Sequence, residues 1–201
     1  MILGLDIDGC LNDSEYFNNF TLREFEREMK IQLQPNFLLL HHFGLSDDLY
    51  QKYMNMYFPL MVKNNHPRPY TREFLYELRL RGHEIKIITA RDAMRDKKDE
   101  PYKGYMMKRD TLEWFDKNGI PYDKIIFSAT KNGYNKGWVC QHEHVDVMLE
   151  DEEKNIETIV DVGIPCIIMK NLKNQNLNYP NTYFVENMSG YFHQICSMEK
   201  L

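Results

Sequence analysis

Residues 4–13 read GLDIDGCLND, so Asp6 and Asp8 stand two apart at the end of an apolar run with Gly9 next. Alternate side chains of a strand share a face, and two carboxylates placed so repel each other unless a cation or a proton lies between them. Three more groups of suitable chemistry follow: Thr89 in KIITAR, Lys136 in NKGWVC and Glu150-Asp151 in VMLEDEEKNI. Together they suit phosphoryl transfer, which needs a nucleophile, charge to meet the phosphoryl oxygens and an acid for the leaving oxygen. Asp6 is the candidate nucleophile, forming an acyl phosphate that water cleaves, and Asp8 the candidate acid and base. A hard cation held by Asp6, the Asp8 carbonyl and Asp151 would relieve the crowding of acids, and Mg²⁺ suits so few protein oxygens. The Thr89 hydroxyl and the backbone N–H groups after it, beginning with Ala90, are placed to cradle phosphate, and Lys136 to neutralise it. Lys131 in SATK is a second candidate for the lysine.

The elements that must carry these groups are legible as near-continuous apolar runs at 1–7, 84–90, 124–129, 145–150 and 165–170, which read as buried parallel strands. Between them, apolar residues recur at helical spacing in 70–81, 106–118 and 153–162, each followed by a glycine (Gly82, Gly119, Gly163) where a helix ends. Alternating strands and helices predict an α/β fold, a Rossmann-like doubly wound parallel sheet, in which ligands bind at the carboxyl ends of the strands. Asp6, Thr89, Ser128 and Glu150-Asp151 all fall at such ends.

The stretch between the first two strands is too long for one crossover helix. Helical patterns at 15–31 and 46–57 and the turn residues NNHPRP predict a helical cap inserted after the first strand. The expected division is a core of 1–13 and 81–201 with a cap of 14–80. The segment 92–104, DAMRDKKDEPYKG, reads as a solvated loop.

With 25 basic and 30 acidic residues the chain has a formal charge of −5, which leaves no footprint for nucleic-acid backbone. The four cysteines lack paired spacing and the N-terminus lacks a leader pattern, from which a reduced, cytoplasmic protein is expected. No apolar run approaches a membrane span of roughly 20 residues, so no membrane partner is expected. The sequence leaves the oligomeric state open.

In their order and spacing, DIDGCLND, ITA, Lys136 and VMLEDEEKNI resemble the four motifs of the haloacid dehalogenase-like superfamily over residues 1 to about 170. The stretches GLDIDGCLND, IITARD, GIPYDKIIF and VDVMLEDEEKNIE more narrowly resemble the cytosolic 5′-nucleotidase type C family, which includes deoxyribonucleotidases. The resemblance implies Asp6 as nucleophile, Asp8 as acid and base, Thr89 and Lys136 as phosphoryl binders and Asp151 as a Mg²⁺ ligand. Where the nucleotidases commonly have Asp-Asp this chain has Glu150-Asp151, which leaves Glu150 as a shared metal ligand or one acting through water. The implied activity is hydrolysis of a small phosphorylated substrate, a nucleoside monophosphate, through an aspartyl-phosphate. Alternatives are a phosphatase for another small phosphomonoester such as a sugar phosphate, a phosphomutase, and a non-catalytic nucleotide- or phosphate-binding module. A metal-independent dehalogenase would need neither Asp8 nor the acidic pair.

Other features have plainer readings. Cys140, His142 and His144 of CQHEH would share a face if extended, a weak zinc pattern without a fourth ligand. His41-His42 reads as a surface pair. Tyr16, Phe17, Phe20, Tyr53 and Tyr57 read as cap core, with one of them free to face substrate, and Arg68 and Arg72 read as solvated charges.

Overall fold

A computed structural model describes residues 1–91, 102–128 and 135–199. Six described strands, β1 (Ile2–Leu5), β2 (Glu84–Thr89), β3 (Lys124–Phe127), β4 (Val147–Glu150), β5 (Cys166–Met169) and β6 (Thr182–Val185), form one sheet in the order β3-β2-β1-β4-β5-β6. Every neighbouring pair is parallel. Leu5 lies level with Ile87 on one side and Leu149 on the other, so β1, β2 and β4 deliver their next residues to one edge.

Helices α3 (Thr71–Leu80), α4 (Gly104–Asn118) and α7 (Met188–Met198) cover one face of the sheet; α5 (Lys136–His142) and α6 (Glu153–Asp161) cover the other. The pleat sorts the side chains: Leu3, Leu5, Ile85, Ile87, Val147 and Leu149 pack with Leu75, Leu78, Trp114, Phe115 and Tyr191, whereas Ile88, Met148 and Ile168 meet Val139, Ile156 and Ile159. Each fully buried Leu or Ile contributes on the order of 1.5–3 kcal/mol from area removed from water. The sheet therefore forms a rigid floor. The predicted doubly wound parallel sheet is the one observed, with a sixth strand beyond the five expected. Tyr183 and Phe184 leave that edge strand half-exposed, and the apolar run there is short.

Between β1 and β2 the chain forms the helical insert, α1 (Ser14–Met29) and α2 (Asp47–Asn64), joined by two short helical turns at 37–39 and 41–44. They share an apolar cluster built on Leu22, Phe25, Phe37, Tyr53 and Tyr57, separate from the sheet core. The sequence pattern ends at 57, but α2 continues through Pro59, because Met61 and Val62 remain apolar and are buried. α3 lies within the expected 14–80 cap, yet its Leu75 and Leu78 belong to the sheet core. The chain leaves and rejoins the core side by side, through an antiparallel bridge between Asn12 and Pro67 and a hydrogen bond from Arg68 N to Leu11 O of 2.8 Å. Most of the predicted 92–104 loop, and Lys131, lie outside the described residues. No described helix is long and apolar enough to cross a membrane.

Candidate active site

Asp6 directly follows β1, and its backbone N–H continues the ladder by donating to Leu149 O at 3.0 Å. The strand then breaks into a tight turn, Ile7–Leu11, in which Gly9 has φ +85°. A Cβ on Gly9 would lie 2.0 Å from Asp151 Oδ2, so only glycine fits both the left-handed backbone and the approach of that carboxylate. Asn12 closes the turn: its Oδ1 accepts from Gly9 N at 3.1 Å, and its Nδ2 donates to Asp8 Oδ1 at 2.9 Å.

Lys136 opens α5, which Asn135 caps by accepting from Trp138 N at 2.8 Å. A Cβ on the next residue, Gly137, would meet Thr158 O at 1.8 Å, so glycine lets α5 seat directly on α6 and aims Lys136 inward. The buried Lys136 Nζ donates to Asp6 Oδ1 at 2.6 Å and to Glu150 Oε2 at 2.5 Å. The other Glu150 oxygen accepts the N–H groups of Asp151 and Glu152, each at 3.0 Å. Thr89, at the end of β2, is buried; its Oγ1 accepts from Arg91 N at 3.2 Å, and its carbonyl accepts from both Ser128 N and Ser128 Oγ. Ala90 is exposed beside it.

The sequence therefore names groups that do converge: Asp6, Asp8, Thr89, Ala90, Lys136, Glu150 and Asp151 line one cavity of about 340 Å³. Glu150 is the exception in its expected use. One of its oxygens accepts from Lys136 and the other from the N–H groups of Asp151 and Glu152, so it holds the lysine and the turn. Among the described residues, the atoms within ligand reach of one another belong to Asp6, Cys10 and Asp151.

Charge explains what this arrangement lacks. Burial pushes the Asp6 carboxyl up to about 7, with Lys136 opposing the shift and Glu150 and Asp8 adding to it. Burial, followed by the charges of Glu150 and Asp6, raises Asp151 well above the usual carboxylate range. Lys136 is raised: burial alone would lower it, but the neighbouring carboxylates of Asp6 and Glu150 prevail. Asp8 behaves oppositely: burial would raise it, yet the Arg91 guanidinium holds it low. With Arg91 matched to Asp8, the carboxylates of Asp6, Glu150 and Asp151 share one ammonium among the described residues, so that full ionisation of all three would exceed it by two negative charges. A divalent cation between Asp6 and Asp151 fits that deficit in both charge and donor type.

The motifs assign no role to several contributors. Arg91 is buried and grips Asp8 through two nitrogens while its Nη1 donates to Thr111 Oγ1 at 3.0 Å. Asn171 Nδ2 donates to Asp151 Oδ2 at 3.1 Å, and Asn174 Nδ2 to Asp151 O at 2.9 Å, so the loop after β5 orients the acid. Arg68 is not a solvated charge: its Nη2 donates to Gly9 O at 3.0 Å, and it is paired with Asp13. Nor does CQHEH make an extended ligand face, because 136–142 is helical, Cys140 is buried and His142 stacks on Trp138.

From the helical insert, Asn18, Phe58 and Met61 complete this cavity and also line an adjoining space of about 160 Å³ walled by Phe43, Tyr50, Tyr53 and Tyr57. Tyr16 and Phe20, by contrast, are exposed.

No protein-family model matches the chain. It is 24% identical over 86% of its length, and 82% of the relative's, to a Bacillus subtilis protein described as "Putative nucleotidase YqfW". A haloacid dehalogenase-like family hydrolase of Streptococcus pneumoniae superposes with a TM-score of 0.67 at 15% identity, covering 98% of this chain and 97% of that one. The HAD-hydrolase YfnB of Bacillus subtilis, a structure bound to magnesium, superposes with a TM-score of 0.61 at 13% identity over 97% and 98% of the two chains. The fold of this chain is thus similar to that of haloacid dehalogenase-like hydrolases.

Proposed function

We propose that the protein is a Mg²⁺-dependent phosphomonoester hydrolase that works through an aspartyl-phosphate on Asp6 and acts on nucleoside monophosphates. The observation that carries this reading is Lys136 lodged between Asp6 and Glu150 at the same strand edge as Thr89 and Asp151. A carboxylate so placed, with one oxygen held by the ammonium and the group open to a cavity, is poised to attack phosphorus.

An Asp6 oxygen forms a bond to phosphorus as the bond to the leaving oxygen breaks, and Asp8 gives that oxygen its proton. Water then attacks the acyl phosphate, surrenders a proton to Asp8 and releases inorganic phosphate, restoring the Asp6 carboxylate. Thr89 and the Ala90 N–H hold phosphoryl oxygens, and Lys136 balances their charge. Mg²⁺, held by Asp6, the Asp8 carbonyl and Asp151, supplies Lewis-acid stabilisation of those oxygens when bound. Glu150 fixes the lysine and the turn into α6. The insert formed by α1 and α2 serves as the cap, while α3 stays with the core.

The nucleotide assignment draws on two supports. One is the nucleotidase name of the relative in sequence. The other is the aromatic space next to the catalytic cavity, which suits a flat leaving group better than a sugar. The test is a phosphatase screen of nucleoside monophosphates, sugar phosphates and phosphoamino acids, with and without Mg²⁺. Nucleotides should lead in kcat/KM and EDTA should silence all substrates. A sugar phosphate in first place would overturn the nucleotide assignment, and metal-independent turnover would overturn the mechanism.

A further inference from the structure

The cavity at the carboxylate edge and the aromatic space of the insert meet at Asn18, Phe58 and Met61, the described residues that line both. Two of these are apolar, so Asn18 is the polar side chain of the passage. It is half-buried on α1 and held from behind. Asn18 Oδ1 accepts from the Tyr53 hydroxyl at 3.2 Å, and Thr21 Oγ1 lies 2.7 Å from the same hydroxyl. The Tyr53 ring is buried edge-on against Phe25, and burial pushes its phenol up to about 12, so it keeps the proton that it donates. With the amide oxygen taken, Asn18 Nδ2 has no partner among the described residues and is the group left for a bound molecule. In a nucleoside monophosphate whose phosphate reaches Asp6 and whose base lies in the aromatic space, the part that crosses this passage is the sugar. Its hydroxyl oxygens accept hydrogen bonds, and Phe58 and Met61 bring no donor to them.

We propose that Asn18 determines sugar specificity by donating from Nδ2 to a sugar hydroxyl, so that the substrates are nucleotides carrying both ribose hydroxyls, the ribonucleoside monophosphates. The proposal rests on the reading of the protein as a nucleotidase. A site built to hydrogen-bond a substrate hydroxyl rejects the analogue that lacks it, because the polar group of the site is then left unpaired. Asn18 keeps some exposure to water, which offsets part of that loss, so the discrimination is about tenfold rather than the far larger factor of a sealed pocket. Tyr53 acts through Asn18 as a positioning residue.

The test measures kcat/KM of the full-length protein for AMP and UMP, each beside its 2′-deoxy and 3′-deoxy counterpart. In the wild type one deoxy position should cost about tenfold, and which one identifies the hydroxyl. In Asn18→Ala the ratio of ribonucleotide to that analogue should fall to about one. Tyr53→Phe keeps the amide and removes what holds it, and should bring the ratio to about threefold. Each ratio is taken within one variant, so a loss of stability or of base binding, which touches every nucleotide alike, leaves it in place. If Asn18→Ala does not fold, Asn18→Leu fills the same volume without a donor and should give the same ratio of about one. Equal kcat/KM for ribonucleotides and both deoxy analogues in the wild type, or a ratio preserved without the Asn18 amide, overturns the proposal. Failure of the nucleotidase reading looks different: p-nitrophenyl phosphate is cleaved and none of the nucleotides is, and the proposal then falls with it.

Discussion

Arg91 holds Asp8 at two points, Nε to Oδ2 at 2.8 Å and Nη2 to Oδ1 at 2.7 Å. A guanidinium fork matches a carboxylate in a way that an ammonium does not. It also holds Asp8 below the usual carboxylate range, so on the proposed mechanism Asp8 must part from Arg91 before it can carry a proton to a leaving group. Arg91→Lys keeps the charge and loses the fork. It should reduce kcat on alkyl phosphates about tenfold more than on p-nitrophenyl phosphate, whose leaving group needs little protonation. Equal reduction on both would separate Arg91 from the acid step.

Asp6→Asn retains the shape of the site and removes the proposed nucleophile. Turnover should fall at least about a thousandfold while the unfolding transition stays in place, because Asn still accepts from Lys136. Single-turnover trapping should find no phosphoenzyme. A loss of less than about a hundredfold in a pure preparation would reject covalent catalysis.

Gly9→Ala sets a methyl group against Asp151 and forces a left-handed backbone on alanine. Stability should drop by about 1 kcal/mol or more. The thermal upshift given by Mg²⁺ should shrink by a larger fraction than the stability does, since Asp151 is the group displaced. A preserved Mg²⁺ shift would argue against Asp151 as ligand.

Phe58 borders both the catalytic cavity and the aromatic space in the cap. Phe58→Ala should cut kcat/KM for a nucleoside monophosphate by about tenfold or more and leave p-nitrophenyl phosphate nearly untouched, because only the former draws on remote binding energy. Parallel losses would place Phe58 in the scaffold instead.

Glu143, at the end of α5, accepts from Lys124 Nζ at 2.7 Å and from Lys86 Nζ at 3.2 Å. The Lys124 hydrogen bonds, opposed by burial and aided by Lys86, hold its carboxyl below the usual range. A group depressed in the folded state stabilises the fold above its unfolded pKa of about 4.3, and that stabilisation disappears as pH falls through the lower folded value. Glu143→Gln should thus lower the urea midpoint near neutral pH and converge on the wild type in acid. A constant difference across that window would remove the ion pairs from the account.

Much of this was legible in the chain because strand ends and chemistry coincide. Asp6, Thr89 and Asp151 each follow an apolar run, and parallel strands bring such ends to one edge. What escaped was whatever depends on contact between distant segments. Arg91 sits in plain view after Thr89, but its pairing with Asp8 exists only once β1 and β2 are neighbours. Asn171 and Asn174 lie in a polar loop indistinguishable from any other until it folds over Asp151. Glu150 reads as a ligand by position alone; the neighbour that claims it, Lys136, comes from a seven-residue helix too short to show a period. β6 failed for a related reason, as an edge strand with two half-exposed aromatics has no buried run.

The bridge between Asn12 and Pro67 brings the two ends of the insert together. A segment whose termini already touch can be lengthened, shortened or exchanged without spreading β1 from its neighbours. On the proposed function, chemistry and selectivity would sit on separate modules joined at this one seam. A chimera that replaces 14–64 with the corresponding stretch of another such protein should keep the sheet and the carboxylate edge, and take its preference among phosphoesters from the donor.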